Sequence, residues 1–549
     1  MTSTTAADLV VRGPVYTCDA AGSWASAFAV RDGRIAAVGG AADVADLVGP
    51  GTEVVEVDDA GAVVPGFVDS HVHPLNGGLE RLRCDLSGAR TRHDCLETIA
   101  EYTRTRPGAG WVRGGGWSFD AFPGGVPDAA DLDAIDATRP MAFYNRDHHT
   151  LWVNSRAMEL AGIDAATPDP VDGRIERRAD GSPCGALQEG AMTLVERVLP
   201  DLSPDELRAG LLAGQEYLHS LGVTAWQDAK VHERDFGVYA DLVARGELSA
   251  TVVGAMWWDR HAGLDQLAGL TERRAEAARR GLSRFDSVKV MLDGVCENFT
   301  AAMLDPYVGS AASADLGTRF FAQDDLERYV VAMDAAGLQV HFHAVGDAAV
   351  RQGLDAVAAA RSANGDTGRY HHIAHVQVVH PDDLPRFRAL RVAVNAQPLW
   401  ARYEPQMTDL TIPFFAEHRV GWQYPFGDFV RHGAVLAMGS DWPVSTPDPV
   451  HQIHVAVNRT PVPVNTAWTP EQGVFFPEQR ITLAQALRAF TMGSAFVSGL
   501  ANTHGSIEVG KTADFAVLDR NPFAGPPADI HRSRVRQTRV AGRTVFEAG

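Results

Sequence analysis

The chain has 549 residues, 45% of them apolar and 21% charged, with 49 basic against 69 acidic side chains and a formal net charge of −20. That length buries a large core, and an acidic balance without any Lys/Arg cluster argues against nucleic acid or an anionic membrane surface as partner. No apolar run approaches a membrane span, the first residues lack a basic and apolar leader, and five scattered cysteines (Cys18, Cys84, Cys95, Cys184, Cys296) without C-x-x-C spacing read as reduced thiols of a cytoplasmic protein.

In chain order, residues 8–62 read as short strands joined by tight turns. Leu9-Val10-Val11 leads to Val15-Tyr16-Thr17, and Phe28-Ala29-Val30 meets residues 34–38 across Arg31-Asp32-Gly33, a hairpin signal. Residues 53–57 form a further strand. Then comes VVPGFVDSHVHP at 63–74, an apolar run ending on His71-Val72-His73. Residues i and i+2 of a strand share a side, so the two imidazoles can face one metal ion. Residues from about 80 to 200 are rich in Gly, Pro and Trp, as in Trp111-Val112-Arg113-Gly114-Gly115-Gly116-Trp117. That block is too long for one strand-to-helix connection and reads as an inserted subdomain.

Strands are expected at 64–69, 223–228, 251–257, 288–293, 338–343, 370–375, 392–396 and 435–439. Helical patterns at 205–221, 324–336, 347–360 and 381–390 separate several of them. Eight β/α units favour an α/β chain with a closed (β/α)8 barrel of TIM type over an open doubly wound sheet, the insertion lying beside the barrel mouth. The C-terminal strands at 514–518 and 539–546 match the N-terminal ones in style, so both termini are expected to build one small β-sandwich. The expected division is 1–63 and 501–549 for the sandwich and 64–500 for the barrel with its insertion.

In such a barrel, functional groups sit at the C-terminal strand ends. Those ends carry His71 and His73, Lys289 in SVKVMLD, His343 in QVHFHAVGD, His375 in IAHVQ and Asp441 in MGSDWP. Four histidines, a lysine and a carboxylate on one face are hard to explain as packing, because a buried lysine is costly unless paired or chemically changed. Each residue also has a plainer reading. His341, His371 and His372 read as wall histidines making hydrogen bonds, whereas His343 and His375 stand at strand ends before turns, which favours a ligand role. Asp441 in Gly-Ser-Asp is also turn chemistry, and Lys289 has Asp293 as a candidate ion-pair partner. Trp117, Trp258 and Trp442 read first as packing near the mouth.

Taken in this order, Pro65-Gly66-Phe67-Val68-Asp69-Ser70-His71-Val72-His73, the strand-four lysine, the two later histidines and Gly439-Ser440-Asp441 resemble the amidohydrolase superfamily. DHHTLWVNS at 147–155, HAVGD at 343–347 and GSIEVGKTAD at 505–514 resemble its amidohydrolase-3 branch, which includes enzymes similar to N-substituted formamide deformylase. The resemblance covers nearly the whole chain. It departs at Ala374, where the branch often has Glu before the second late histidine, so a supporting contact there is absent or supplied from elsewhere.

The resemblance implies His71 and His73 as ligands of a more buried metal ion and His343 and His375 as ligands of a second. It implies Lys289, carboxylated on its amine, as the bridging ligand. Two Zn²⁺ ions suit such imidazole-rich sites, with Mn²⁺ or Fe²⁺ left open. Asp441 is implied as both metal ligand and general base, taking a proton as hydroxide attacks and passing it to the leaving nitrogen. Trp117, His149, Gln188, Glu189 and Trp442 are the substrate-side candidates. The expected activity is metal-dependent hydrolysis of a non-peptide C–N bond in a small molecule, such as an N-substituted formamide or N-acyl amine. A deaminase or cyclic-amide hydrolase with the same site is the first alternative. A non-catalytic metal-binding barrel is the second, although a scaffold has no need of Asp441 and Lys289 together. The expected partner is a small-molecule substrate, with no nucleic acid and no membrane, and a homodimer left open.

Overall fold

Strands buried on both faces need near-continuous apolar runs and helices on their flanks. A computed structural model describes residues 6–108, 110–309, 315–463 and 473–549. Its central sheet has eight strands: β1 (Phe67–Val72), β2 (Val223–Val231), β3 (Thr251–Trp257), β4 (Arg284–Met291), β5 (Gln339–Ala344), β6 (His371–His375), β7 (Val392–Ala396) and β8 (Leu436–Met438). They pair in sequence order from β1 to β8, every ladder parallel. The chain is therefore a nearly closed eight-stranded α/β barrel.

The seam between β8 and β1 is joined by individual bonds. Ser70 Oγ donates to the Met438 carbonyl (2.9 Å), Ser440 N–H to Asp69 Oδ1 (3.0 Å), Asp441 N–H to the His71 carbonyl (2.7 Å) and His73 N–H to the Trp442 carbonyl (2.8 Å). A Cβ at Gly439 would run into the His71 backbone, so only glycine lets the two strand ends approach this closely. The same bonds fix His71, His73 and Asp441 relative to one another.

β1 begins three residues later than the pattern predicts. Ala62–Pro65 is a separate strand that pairs antiparallel with Phe515–Leu518. The run is divided at Pro65-Gly66, and its first half serves another sheet. That sheet has eight strands drawn from both ends of the chain, with Leu9–Tyr16, Trp24–Arg31 and Arg34–Gly39 on one side and Val535–Val540 and Arg543–Glu547 on the other. Its hairpin turns at Asp32-Gly33, whose φ values of 50° and 73° suit a two-residue turn between twisted strands. Leu9, Val11, Phe28, Val63 and Phe515 form its core.

The helix Pro74–Leu82 leaves β1 directly, with His73 at its N-cap and Pro74 at its first position, where a missing N–H costs nothing. It packs against Pro204–Ser220, a helix opened by a Ser203/Glu206 capping box. The crossing is close because Gly78 faces Gly210; a Cβ on Gly78 would overlap the Gly210 carbonyl.

Between these helices lies a six-stranded mixed sheet containing Cys84–Asp85, Val112–Trp117, Met141–Asn145, Thr150–Val153, Pro183–Glu189 and Gly173–Arg177. Trp117 is fully buried in its core, donates from Nε1 to the Phe143 carbonyl (2.9 Å) and packs edge-on against Phe119, Phe122 and Trp152. Trp117→Ala is expected to cost about 3–5 kcal/mol in chemical denaturation, the usual scale for emptying a buried aromatic site, while KM stays unchanged. Among the described residues no helix is long and apolar enough to cross a membrane.

Candidate active site

The C-terminal ends of the barrel strands open into a cavity of about 1180 Å³ shared with the six-stranded sheet. His71 and His73 reach it from β1 by the two-residue alternation. Asp441 follows β8 with φ of 56°, a left-handed conformation unusual for a non-glycine residue. Its Oδ1 lies 3.2 Å from His71 Nε2 and 3.0 Å from His73 Nε2. The donor atoms of these three residues all lie within 4.8 Å of one another.

His375 needs a different explanation. His341 and His372 face each other inside the barrel with ring centroids 4.0 Å apart. A straight strand would turn His375, three residues beyond His372, to the opposite face. Left-handed φ values at His375 (76°) and Val376 (45°) break the alternation. His375 Nδ1 consequently comes within 3.9 Å of Asp441 Oδ2 and has no hydrogen-bond partner although buried. Its ring stacks on Trp400 (centroids 5.5 Å, 13° between planes) and meets His343 edge-on at 4.2 Å. Ala374 is buried beside Asn395, and Gln397 Oε1 accepts from the His375 N–H (2.8 Å).

Lys289 is inside the barrel, 3% exposed, with Nζ 3.2 Å from His71 Nε2. Among the described residues it forms no ion pair with Asp293. That carboxylate instead accepts backbone N–H groups of Ala302, Val345 and Gly346 at 2.8–3.0 Å, and β4 ends at Met291, two residues before the predicted end. The wall histidines make the bonds expected of them. His341 Nε2 lies 2.8 Å from His71 Nδ1, His371 Nδ1 accepts from Val340 N–H (3.0 Å), and His372 Nδ1 lies 3.2 Å from Asn395 Nδ2.

Burial dominates the electrostatics. It pushes His71 down to about 3 and His73 down to about 4, so both imidazoles are neutral donors at neutral pH. Burial also pushes Lys289 down to about 7 against the opposing pull of Asp441. For Asp441 burial raises the pKa, but the facing histidines outweigh it and hold the carboxyl well below its ordinary range. Neutral imidazoles beside an ionised carboxylate, with the unpartnered His375 Nδ1 facing them, are a donor set that fits a divalent transition-metal cation.

On the insertion side, His149 lines the cavity and its Nδ1 lies 2.8 Å from Glu189 Oε1. Burial opposes a charge on His149, yet the Glu189 carboxylate prevails and raises it to about 9. Thr300 Oγ1 donates to the same Glu189 oxygen (2.9 Å). The other three substrate-side candidates lie away from the cavity. Trp117 fills the insertion core. Gln188 points across its sheet to Arg174 and Glu176 (2.9 and 2.6 Å), because adjacent strand residues face opposite ways. Trp442 packs over Gly77 and against Tyr217 (centroids 5.3 Å). Sequence reasoning missed Lys230, Trp257 and Trp400, which line the cavity just beyond or at the ends of β2, β3 and β7. Their strand-end positions were the available signal.

The sequence model of the amidohydrolase family matches residues 59–546 of this chain. Protein LONG AFTER FAR-RED 3 of Arabidopsis thaliana is 30% identical, the match covering 98% of this chain and 91% of that protein. An N-substituted formamide deformylase of Arthrobacter pascens is 27% identical over 98% of each chain. Among solved structures, an uncharacterized metal-dependent hydrolase from Pyrococcus horikoshii OT3 superposes with a TM-score of 0.72 at 25% identity, covering 94% of this chain and 99% of the other.

Proposed function

Because this chain belongs to the amidohydrolase family, we propose that it is a metal-dependent hydrolase cleaving a non-peptide amide-type C–N bond of a small molecule, in the class of N-substituted formamides and N-acyl amines. The observation that carries this reading is the convergence of His71, His73 and Asp441 donor atoms within 4.8 Å at the cavity floor. The full-length similarity to a formamide deformylase supports the substrate class.

His71, His73 and Asp441 would hold one divalent ion and His343 and His375 a second, zinc being the ion that best suits imidazole nitrogen. Lys289, carboxylated on Nζ, would supply an anionic ligand to both ions. Its lowered pKa supports that assignment, since a free amine is available near neutral pH to add CO₂ and lose one proton, replacing a cation by an anion. When bound, such ions polarise a carbonyl oxygen and lower the pKa of a water to about 7.

The chain's own groups do the rest. Asp441, ionised by its histidine neighbours, takes the proton from the attacking water and returns it to the departing nitrogen. His341 holds the His71 ring through the 2.8 Å contact at Nδ1, leaving Nε2 toward Asp441. His149, fixed by Glu189, borders the substrate from the insertion side.

The test is a screen of N-substituted formamides, N-acyl amines and N-acyl amino acids with metal-loaded enzyme, following amine and acid together. Equal release of both from at least one class is expected. Ammonia from heterocycles, with no amide cleaved, would replace this reading by a deaminase.

A further inference from the structure

The cavity continues from the donor cluster along helix Pro74–Leu82 to a group of arginines that the chemistry above does not use. His73 caps one end of that helix and Arg83 the other. At 1.5 Å per residue the two ends stand about 15 Å apart. Arg113, on the insertion strand Val112–Trp117, and Arg234, in the first turn of helix Glu233–Arg245, line the cavity with Arg83.

Arg113 is half-buried, and its Nη1 donates to the Pro200 carbonyl (3.2 Å). Among the described residues it forms no ion pair. Burial and the neighbouring Arg83 lower its pKa to about 10. Three carboxylates nearby are engaged: Glu196 accepts from Tyr144 Oη (2.7 Å), Glu206 accepts from Ser203 N–H (2.9 Å) and stands 3.5 Å from Arg83, and Asp235 accepts from His232 N–H (3.0 Å) and Arg234 Nε (3.2 Å). In a chain with 20 more acidic than basic side chains, carboxylates are not scarce. A guanidinium left unpaired on a cavity wall beside two others is completed by an anionic ligand group, for which its planar fork is suited.

We propose that Arg113, with Arg83 and Arg234, binds an oxyanion carried by the substrate, a carboxylate or a phosphate monoester, on the cavity wall by the Arg83 end of helix Pro74–Leu82, away from the bond that is cleaved. The proposal rests on the amide-hydrolase reading for the reacting end. It adds that the preferred substrate is an amide with a distal negative charge and not a neutral N-alkyl formamide.

The experiment compares ω-formamidoalkanoates of four to ten carbons with their methyl esters and with ω-formamidoalkyl phosphates on the metal-loaded enzyme. At the matching chain length, kcat/KM for the anionic compound is expected to exceed that of its neutral counterpart by about 10- to 100-fold, the scale of a charge-assisted hydrogen-bonded pair. In Arg113→Met that ratio is expected to fall to near one, chiefly through KM. Whether carboxylate or phosphate gives the larger ratio identifies the anion. A ratio near one in the unaltered enzyme, or a ratio that survives Arg113→Met, overturns the anion site and leaves the amide-hydrolase reading standing. If no amide is cleaved, that reading falls, and calorimetric titration with 8-ureidooctanoate and its methyl ester decides the anion site separately. Binding of the acid alone, lost in Arg113→Met, supports it; equal binding of acid and ester refutes it.

Discussion

Asp441→Asn is expected to lower turnover by about two to four orders of magnitude while leaving the fold intact, the scale of a lost general base. The substitution nearly preserves shape. The Asp441 N–H bond to the His71 carbonyl and the glycine-dependent approach at the seam both belong to the backbone and survive. What disappears is the ionised carboxylate that faces both His71 and His73 across 3.0–3.2 Å. An amide cannot accept the proton of the attacking water, so about 3–5 kcal/mol of barrier returns. Turnover, thermal unfolding and metal content should be measured on the same preparation. Near-normal turnover with unchanged metal content would move proton transfer to another residue.

Lys289→Met separates the two readings of the buried lysine. Methionine fills similar volume without an amine, so packing is largely kept. If Lys289 is only structural, its replacement should leave metal content and activity close to normal. If its carbamate bridges two ions, metal stoichiometry should fall and activity should be lost with it. The metal-free variant should be at least as stable as the parent, because a buried amine that has no ion-pair partner among the described residues has been removed. In Lys289→Ala, which vacates the space, short carboxylic acids in solution are expected to restore part of both metal and activity. Electron density at Nζ should show a planar group. An unmodified Lys289 in a metal-loaded, active crystal would refute the bridging role.

Much of the barrel was legible because its physics is periodic. Apolar runs separated by amphipathic helices give parallel strands, and the i, i+2 rule puts His71 and His73 on one side without any knowledge of the tertiary structure. The limits are equally physical. His375 faces the site through two left-handed backbone positions that alternation does not foresee. In the insertion, Gln188 and Glu189 were equal candidates, yet only Glu189 lines the cavity, at a φ of 51° that ends its strand. Trp117 was a candidate because the insertion was expected beside the barrel mouth, but a large apolar ring gains more from the insertion's own core than from a wet cavity. The split of residues 63–72 between two sheets depended on a partner strand more than 440 residues away in sequence, at Phe515–Leu518. The arginines on the far wall come from three separate segments, and no local pattern links them.

The central claim, that this fold hydrolyses its substrate with metal held at His71, His73 and Asp441, is tested most directly by elemental analysis paired with turnover before and after chelation. The account predicts up to two divalent transition-metal ions per chain, loss of hydrolysis when they are stripped, and recovery when Zn²⁺ or another suitable divalent ion is returned. A protein shown to be metal-free and still fully active would contradict it.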